Sequence, residues 1–359
     1  MSNTYRKPAA KLEGVIPYDP KYLPAETYLS ANESPYGLSQ ELQEIVEQRL
    51  RSTNFNRYPD PLANELRDKI ATREGLQREQ VLIGNGGDEL LFNLTLAWGG
   101  VGRTFLTMPP TFSAYADYAH LTDTAMETIS LTSDFNIDED AVLQRVAKKD
   151  IDLVVVTTPN NPTGKAVQVD FILSLLESSD ALVLVDEAYV EFSGSTCISY
   201  LEKHKNLVIL RTLSKAFGLA GVRLGYVLAD AGIINELIKV RQPYSVDTVS
   251  QAIACCFLDN AQIFQKQVME TIQQREIMLK ELSAIPSLKV YPTDANFILF
   301  KVADAACVWE FLYAKGLLIR DFSKSKEMPD CLRVSVGTPQ ENKAFINALK
   351  EALDERGLL

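Results

Sequence analysis

One lysine, Lys215, stands among small residues in the stretch RTLSKAFGLAGVRLG, which covers positions 211–225. Most lysines lie in solvent, so a surface position is the simplest interpretation of any single one. Glycine, alanine and serine on both sides would here let the backbone close around a bound group. A lysine amine in such a place can act as a nucleophile that forms an imine with a carbonyl compound. The stretch therefore raises the hypothesis of covalent amine chemistry.

Three apolar runs in the middle of the chain end in polar residues that could share one ligand. The runs are predicted to be strands covered on both faces of a sheet, and they span 152–159, 181–188 and 206–213. The first leads into Asn161, the second into Asp186 and Tyr189, and the third into Lys215. Each segment alone is typical of a turn or a solvated strand end. Because ligands of open α/β sheets bind outside the carboxyl ends of strands, we expect the four side chains to meet in one crevice.

A fourth stretch indicates a place for a phosphate group. Residues 81–98, VLIGNGGDELLFNLTLAW, predict a strand, a glycine turn and a helix that begins at Asp88. Gly87 allows close backbone approach, and a helix N-terminus attracts phosphate through its free N–H groups and its dipole. The spacing GNGGDE differs from the GxGxxG pattern of dinucleotide-binding sites. A glycine turn capped by an aspartate is an equally good interpretation of this stretch alone.

Composition restricts the class of protein. The chain has 359 residues, of which 46% are hydrophobic and 23% charged, as expected of a globular protein with one large or two moderate domains. The net charge of −11 and the lack of a basic run argue against a nucleic-acid partner. Five cysteines without a CxxC spacing and two histidines outside any metal motif argue against disulfides, a metal site and histidine-based hydrolysis. The sequence predicts no membrane segment, and the cytoplasm is the expected compartment.

The elements that must position these residues follow an α/β pattern. Apolar strands alternate with helical segments through the middle of the chain, which predicts a mostly parallel central sheet between helices. After about residue 260 the pattern changes to a long polar helix, two strand-like runs and a further helix. We therefore predict an N-terminal arm and part of a small domain over 1–50, a large domain over 51–258 and a small α+β domain over 259–359.

The predicted groups together suit one cofactor. Pyridoxal 5'-phosphate (PLP) needs an amine that forms an imine, a carboxylate beside the ring nitrogen, an aromatic side chain on the ring face and a cradle for the phosphate. The aromatic face could come from MPPTFSAYADY, residues 108–118, although core aromatics on a helix are an alternative for that stretch. We expect PLP to be the cofactor.

Several segments carry a resemblance to a known family. PNNPTG, VDEAYVEF, RTLSKAFGLAGVRLGY, ANFIL and LRVSVGT resemble the fold-type I, class II PLP-dependent aminotransferases. The similarity extends from position 16 to 338 and is closest to the histidinol-phosphate aminotransferases. It implies a homodimer with shared active sites that moves an amino group between an amino donor and a 2-oxo acid.

The resemblance also implies roles for residues at matching positions. Lys215 would be the imine lysine and general base, Asp186 the partner of the ring nitrogen, and Tyr189 and Asn161 donors to the cofactor 3-oxygen. Phe112 would stack on the ring. Tyrosine is common at this position in the family, so the phenylalanine keeps the stacking and lacks the hydroxyl. The other implied cofactor contacts are Gly87, Asp88, Thr212, Ser214, Arg223 and, from the second subunit of a dimer, Tyr58.

The implied substrate contacts are Tyr18, Asn161, Arg320 and Arg333. Arg333 would hold the substrate carboxylate, and Tyr18 and Arg320 would contact the histidinol-phosphate end. An ordinary salt bridge with Asp321 is the alternative for Arg320, and an ion pair is expected for Arg211. An aromatic-amino-acid aminotransferase, a phosphothreonine-type decarboxylase and a non-enzymatic cofactor-binding protein remain alternative functions.

Overall fold

The computed structural model describes residues 6–15, 17, 19 and 23–359, so the predicted substrate contact Tyr18 lies outside the described residues. The strands of the described part are β1 (Thr27–Leu29), β2 (Val81–Asn85), β3 (Thr104–Thr107), β4 (Ala125–Thr128), β5 (Leu153–Thr157), β6 (Leu182–Asp186), β7 (Leu207–Thr212), β8 (Leu224–Ala229), β9 (Lys289–Val290), β10 (Phe297–Lys301), β11 (Leu317–Asp321) and β12 (Cys331–Ser335).

The α-helices surround these strands and connect them. They are α1 (Gln40–Arg51), α2 (Asn64–Glu74), α3 (Gly86–Trp98), α4 (Ala114–Leu121), α5 (Glu139–Val146), α6 (Val169–Ser178), α7 (Val190–Ser193), α8 (Ala231–Val240), α9 (Thr248–Asp259), α10 (Ala261–Ser283), α11 (Ala305–Ala314) and α12 (Pro339–Asp354). Among the described residues, no helix is both long enough and apolar enough to cross a membrane.

The larger sheet is mostly parallel, which confirms the predicted α/β fold. Its strand order is β2-β8-β7-β6-β5-β3-β4, and β8 alone runs antiparallel to its neighbours β2 and β7. The three strands predicted from apolar runs, β5, β6 and β7, lie side by side at its centre with every residue buried. Burial on both faces explains why their sequences are apolar without alternation. Their carboxyl ends therefore open on the same edge.

The smaller sheet combines the two ends of the chain. Its order is β1-β11-β12-β10-β9, so β1 from the N-terminal part pairs in parallel with β11. Helices α11 and α12 cover it, and their apolar residues form a separate core with Phe300 and Phe345 at its centre. Helix α1, in contrast, packs on α9 and belongs to the core of the larger sheet.

Helix α3 begins earlier than predicted. Its first residue is Gly86 and its N-cap is Asn85, so Asp88 is the third residue of the helix and does not begin it. Gly86 has a φ of +78°, a conformation that glycine adopts without strain. The turn and the first free N–H groups of the helix therefore lie directly after β2.

Candidate active site

The strand order of the larger sheet arranges the predicted residues along one edge. From β2 across to β5, the edge carries the start of α3, then Arg223 before β8, Thr212 at the end of β7, Asp186 at the end of β6 and Asn161 beyond β5. The register places Thr212 opposite Gly225 and Thr157 opposite Asp186. The groups predicted to bind phosphate therefore lie at one end of the edge, and those predicted to bind the ring lie at the other.

Lys215 follows β7 and points to the segment after β1. Its Nζ donates a hydrogen bond to the carbonyl oxygen of Ala31 at 2.7 Å, and the residue is half-buried. Burial, and next to it the positive charge of Arg333, lower the pKa of the Lys215 amine to about 8. The amine is thus far closer to its neutral, nucleophilic form at physiological pH than a lysine in solvent.

Asp186 ends β6 as a buried carboxylate. Its Oδ2 accepts a hydrogen bond from the Tyr115 hydroxyl at 2.6 Å, and its Oδ1 accepts one from the Ala188 amide at 3.1 Å. Burial raises its pKa to about 6, and the two donors act in the opposite direction. Tyr115 was not predicted as a site residue, although it stands in helical spacing three positions after Phe112 in the aromatic stretch singled out above.

Tyr189 and Asn161 are tied to residues from the smaller sheet. The Tyr189 hydroxyl accepts a hydrogen bond from Nδ2 of Asn32 at 2.9 Å, and Oδ1 of Asn161 accepts one from Nη1 of Arg333. A second nitrogen of Arg333, Nη2, donates to the Ser30 carbonyl at 2.7 Å. Sequence reasoning missed Asn32, which is buried with a φ of +53° in the stretch LSANESPYG, residues 29–37; such a conformation is uncommon outside glycine.

The start of α3 and Arg223 form the predicted phosphate end. Nη2 of Arg223 donates to Asp88 Oδ2 at 3.1 Å, and a Cβ added at Gly86 would lie only 2.7 Å from the same Nη2. Gly87 also lies in this turn, where its amide nitrogen would be 2.7 Å from a Cβ at Gly225. Arg223 and β8 thus pack so closely against the turn that neither Gly86 nor Gly225 has room for a Cβ.

Thr212 and Ser214 lie between this cradle and Lys215. Both are buried, and the Ser214 amide donates to the Thr212 hydroxyl at 3.1 Å, while that hydroxyl donates to the Leu224 carbonyl at 3.2 Å. Phe112, just before α4, meets the Tyr115 ring edge-on with centroids 5.6 Å apart. Phe112 is partly buried against the core, as the alternative core interpretation expects, and its stacking on the cofactor ring stays a prediction.

Of the two remaining predicted contacts, Arg320 lies beside Arg333 and Tyr58 lies at the surface. Arg320 stands directly opposite Arg333 on the neighbouring strand, and both guanidinium groups lie over the Phe322 ring at 6.0 and 5.6 Å. Tyr58 is 81% exposed and stacks on Tyr244 with centroids 4.6 Å apart. Within a single chain, the Tyr58 side chain therefore lies at the surface and is not enclosed in the crevice.

Arg211 forms the buried ion pair that was expected of it. Its guanidinium donates to Glu187 at 2.9 Å and to Glu74 at 2.8 Å. Since side chains alternate along a strand, Arg211 and Glu187 point away from Thr212 and Asp186. The pair thus ties the ends of β6, β7 and α2 together behind the site.

The donor set of this edge fits PLP. The helix N-terminus and Arg223 suit a phosphate, Asp186 a protonated ring nitrogen, Tyr189 and Asn161 an oxygen substituent on the ring, and Lys215 an aldehyde. Glycine at position 86 lets the Arg223 guanidinium lie directly against the first turn of α3, where a Cβ would collide with it.

Comparisons with known proteins agree with this fit. The sequence model described as "Aminotransferase class I and II" matches residues 26–349. The chain is 36% identical to a histidinol-phosphate aminotransferase of Thermoanaerobacter pseudethanolicus over 96% of this chain and 97% of the relative. It is 40% identical to "Histidinol-phosphate aminotransferase 1" of Carboxydothermus hydrogenoformans over 94% and 96% of the two chains.

The fold is shared with solved structures. Histidinol-phosphate aminotransferase from Sinorhizobium meliloti, solved in complex with pyridoxal-5'-phosphate, superposes with a TM-score of 0.89 at 21% identity and covers 98% of this chain and 99% of its own. The extent of the sequence match settles the family. The chain belongs to the class I and II aminotransferases and is a PLP-dependent enzyme of that family.

Proposed function

We propose that this aminotransferase interconverts histidinol phosphate and 2-oxoglutarate with imidazole-acetol phosphate and glutamate, a step of histidine biosynthesis. The two relatives named above carry that activity in their names and align over nearly the whole chain. The observation that carries the proposal is the pair Arg320 and Arg333, which face each other on adjacent strands over one aromatic ring. A guanidinium binds a carboxylate or a phosphate through paired hydrogen bonds, so two neighbouring arginines suit a site that receives anions.

The two arginines divide the anionic groups of the substrates. Glutamate and 2-oxoglutarate carry a carboxylate next to the reacting carbon, and an arginine binds a carboxylate with two parallel hydrogen bonds. We assign that contact to Arg333, which Asn161 and Ser30 already orient. Histidinol phosphate lacks this carboxylate and carries a phosphate instead, for which we assign Arg320 together with Tyr18.

The residues of the crevice then have separate tasks. When bound, PLP supplies an aldehyde that condenses with amino groups and a protonated ring that accepts electron density. Asp186 holds the proton of the ring nitrogen, and Tyr189 and Asn161 bind the ring oxygen. Gly87, Asp88, Thr212, Ser214 and Arg223 hold the phosphate, and Phe112 packs on the ring face.

Lys215 moves the proton. Its amine, with a pKa lowered to about 8, takes a proton from Cα of the amino substrate and returns one to the oxo acid in the reverse direction. Burial of the site strengthens the charge interaction of Asp186 with the ring, since water no longer screens it. All of these residues act in both half-reactions, because the second half-reaction is the reverse of the first on a different substrate.

We further propose that the enzyme works as a homodimer in the cytoplasm. Tyr58 is a predicted phosphate ligand, yet its ring is exposed on its own chain, which fits donation to the site of a second copy. Four of the five cysteines are buried free thiols, the state that a reducing compartment maintains.

An assay of amino donors tests the proposed substrate. With 2-oxoglutarate as acceptor, histidinol phosphate should give the highest kcat/KM of a panel that includes phenylalanine and tyrosine. Higher values for the aromatic amino acids would assign the chain to the aromatic aminotransferases. Release of carbon dioxide without formation of glutamate would identify a decarboxylase.

The variant Arg320→Met tests how the phosphate is recognised. Loss of a charged hydrogen bond of about 1.5–3 kcal/mol should lower kcat/KM for histidinol phosphate by about 10- to 150-fold and leave phenylalanine turnover much less affected. Lys324→Met, which removes an exposed charge four positions along the chain, is the control. Equal losses on both donors would show that Arg320 has a structural role.

A further inference from the structure

A group of hydroxyl side chains lies next to Asp186. The Tyr115 hydroxyl lies 2.6 Å from Asp186 Oδ2 and 2.9 Å from Thr157 Oγ1. Oγ1 of Thr111 lies 3.2 Å from Thr157 Oγ1 and 2.8 Å from Asn160 Oδ1. These residues come from three places: α4, the loop before it, and the end of β5 with the turn that follows.

The direction of these hydrogen bonds follows from counting protons. An ionised carboxylate only accepts, and a phenol has one proton, so Tyr115 donates to Asp186. The oxygen of Tyr115 then accepts the proton of Thr157. At the far end, Nδ2 of Asn160 donates to the Pro110 carbonyl at 2.9 Å and to Thr163 at 2.8 Å, which leaves Asn160 Oδ1 to accept the proton of Thr111. The three hydroxyl protons are then all assigned, so the 3.2 Å contact between Thr111 and Thr157 is a packing contact and not a hydrogen bond.

We propose that Tyr115 is a positioning residue that fixes the Asp186 carboxylate in its ionised form and in one orientation. Thr157 donates to the phenol oxygen and thereby keeps the Tyr115 hydroxyl turned so that its proton points at Asp186. Tyr115 binds one carboxylate oxygen and the Ala188 amide binds the other, so rotation of the carboxylate would break both bonds. The functional value of this arrangement rests on the proposed role of Asp186 beside the ring nitrogen.

Burial makes the contribution of Tyr115 large. Asp186 is 5% exposed and Tyr115 is 2% exposed, so water cannot replace a lost donor at low cost. Burial raises the pKa of Asp186, and the hydrogen bond from Tyr115 is the strongest opposing influence. Burial also raises the pKa of the Tyr115 phenol far above its usual range, so that the phenol remains a donor at every working pH.

The test is a titration of Asp186 in the protein without cofactor. Aspartate carboxyl carbons labelled with ¹³C are followed by NMR against pH, and the Asp186 signal is assigned by its loss in Asp186→Asn. In Tyr115→Phe the proton affinity of the Asp186 carboxylate should rise about ten- to hundredfold, as expected for loss of a hydrogen bond to a charged group. Tyr291→Phe, which removes a phenol hydroxyl buried against Phe135 in another core, is the control.

Cofactor binding gives a second readout. The dissociation constant for PLP should increase more steeply between pH 8 and pH 6 in Tyr115→Phe than in the wild type or in Tyr291→Phe. Thr157→Val, which removes the donor to Tyr115 and leaves the Tyr115 hydroxyl in place, should change the Asp186 titration in the same direction by a smaller factor.

These experiments test the positioning role of Tyr115 independently of the proposed substrate. An Asp186 titration that Tyr115→Phe leaves unchanged, or changes no more than Tyr291→Phe does, would overturn the positioning role. If Tyr115→Phe does not fold, Thr157→Val decides, and an unchanged titration there would overturn the role as well. The titration contains no amino donor, so a wrong assignment of the donor would leave its result intact.

Discussion

At the scale of single residues, burial favours the neutral form of two groups with opposite charges. It lowers the pKa of the Lys215 amine to about 8 and raises the pKa of the Asp186 carboxyl to about 6. A neutral amine is what an attack on an aldehyde requires. An ionised Asp186 is what a protonated ring nitrogen requires, and the hydroxyl of Tyr115 supplies part of that stabilisation.

The pKa of Lys215 leads to a testable pH dependence. In the protein without cofactor, trapping of PLP by borohydride at this lysine should accelerate with pH to a midpoint near 8, and not near the ordinary lysine value of 10.5. Arg333→Met should move the midpoint upwards, because it removes a positive charge that opposes protonation. A midpoint above 10 in the wild type would contradict the burial of the amine.

The same lowered pKa has a consequence for stability. Between pH 8 and 10.5 the unfolded chain holds a proton on Lys215 that the folded chain has released. Stability rises with pH wherever the unfolded state binds more protons, so this residue's contribution becomes more favourable as pH increases through that window.

Residue types in the site could be predicted from the sequence, whereas several of their partners could not. Lys215, Asp186 and Asn161 stand in short motifs after strands, and strand order alone brings them to one edge. Asn32 and Tyr115 act through contacts with residues 157 and 71 positions away. No local pattern specifies contacts over such a separation, although Tyr115 stands in the aromatic stretch 108–118.

At the scale of elements, β8 fixes the predicted phosphate cradle against the sheet. Gly225 on β8 pairs with Gly84 on β2, and a Cβ at Gly225 would lie 2.7 Å from the Gly87 amide nitrogen and 2.8 Å from the Gly86 carbonyl carbon. Backbone atoms cannot move aside as a flexible side chain can. The first turn of α3 therefore depends on this glycine.

Gly225→Ala should consequently weaken both the fold and cofactor binding. We expect a loss of about 1–3 kcal/mol in the free energy of unfolding, measured in urea, because the added methyl group overpacks a closed contact. The dissociation constant for PLP should rise as the cradle is displaced. Gly221→Ala, where a Cβ would meet no atom within 4 Å, is the matched control and should change neither quantity. Identical behaviour of the two variants would contradict the close packing at Gly225.

The strands predicted from apolar runs are present, and the differences lie at element ends. Strands β5, β6 and β7 are buried on both faces, and their sequences show this directly. Helix α3 starts at Gly86 because glycine accepts the positive φ of the turn, whereas the prediction assigned the start to the first acidic residue. Strand β1 has only three residues and is defined by its pairing with β11, which no local pattern reveals.

At the scale of the whole molecule, the exposed pair Tyr58 and Tyr244 bears on assembly. Two aromatic rings stacked at the surface, with Phe55 also exposed nearby in sequence, present apolar area that a second copy could cover. A symmetric dimer would bring each Tyr58 to the other subunit. The proposed function requires this arrangement for its phosphate site.

Mixing two inactive variants tests the shared site. Tyr58→Ala and Lys215→Ala chains, unfolded and refolded together, should form mixed dimers in which one of the two sites has both wild-type residues. Activity should return to about a quarter of the wild-type level, since half of the dimers are mixed in a random 1:1 assembly. The two variants refolded separately provide the baseline. No recovery in the mixture, together with a fully active monomer by sedimentation, would contradict a shared site.

The central claim is that Lys215 bonds to the cofactor at the carboxyl edge of the larger sheet. Reduction of the wild-type enzyme with borohydride in the presence of PLP, followed by protease digestion and mass spectrometry, tests it most directly. We expect one pyridoxyl-labelled peptide that contains Lys215 and no such peptide from Lys215→Ala, which should also lack turnover. A stoichiometric label on another lysine of the active wild-type enzyme would show that Lys215 is not the lysine that bonds to PLP.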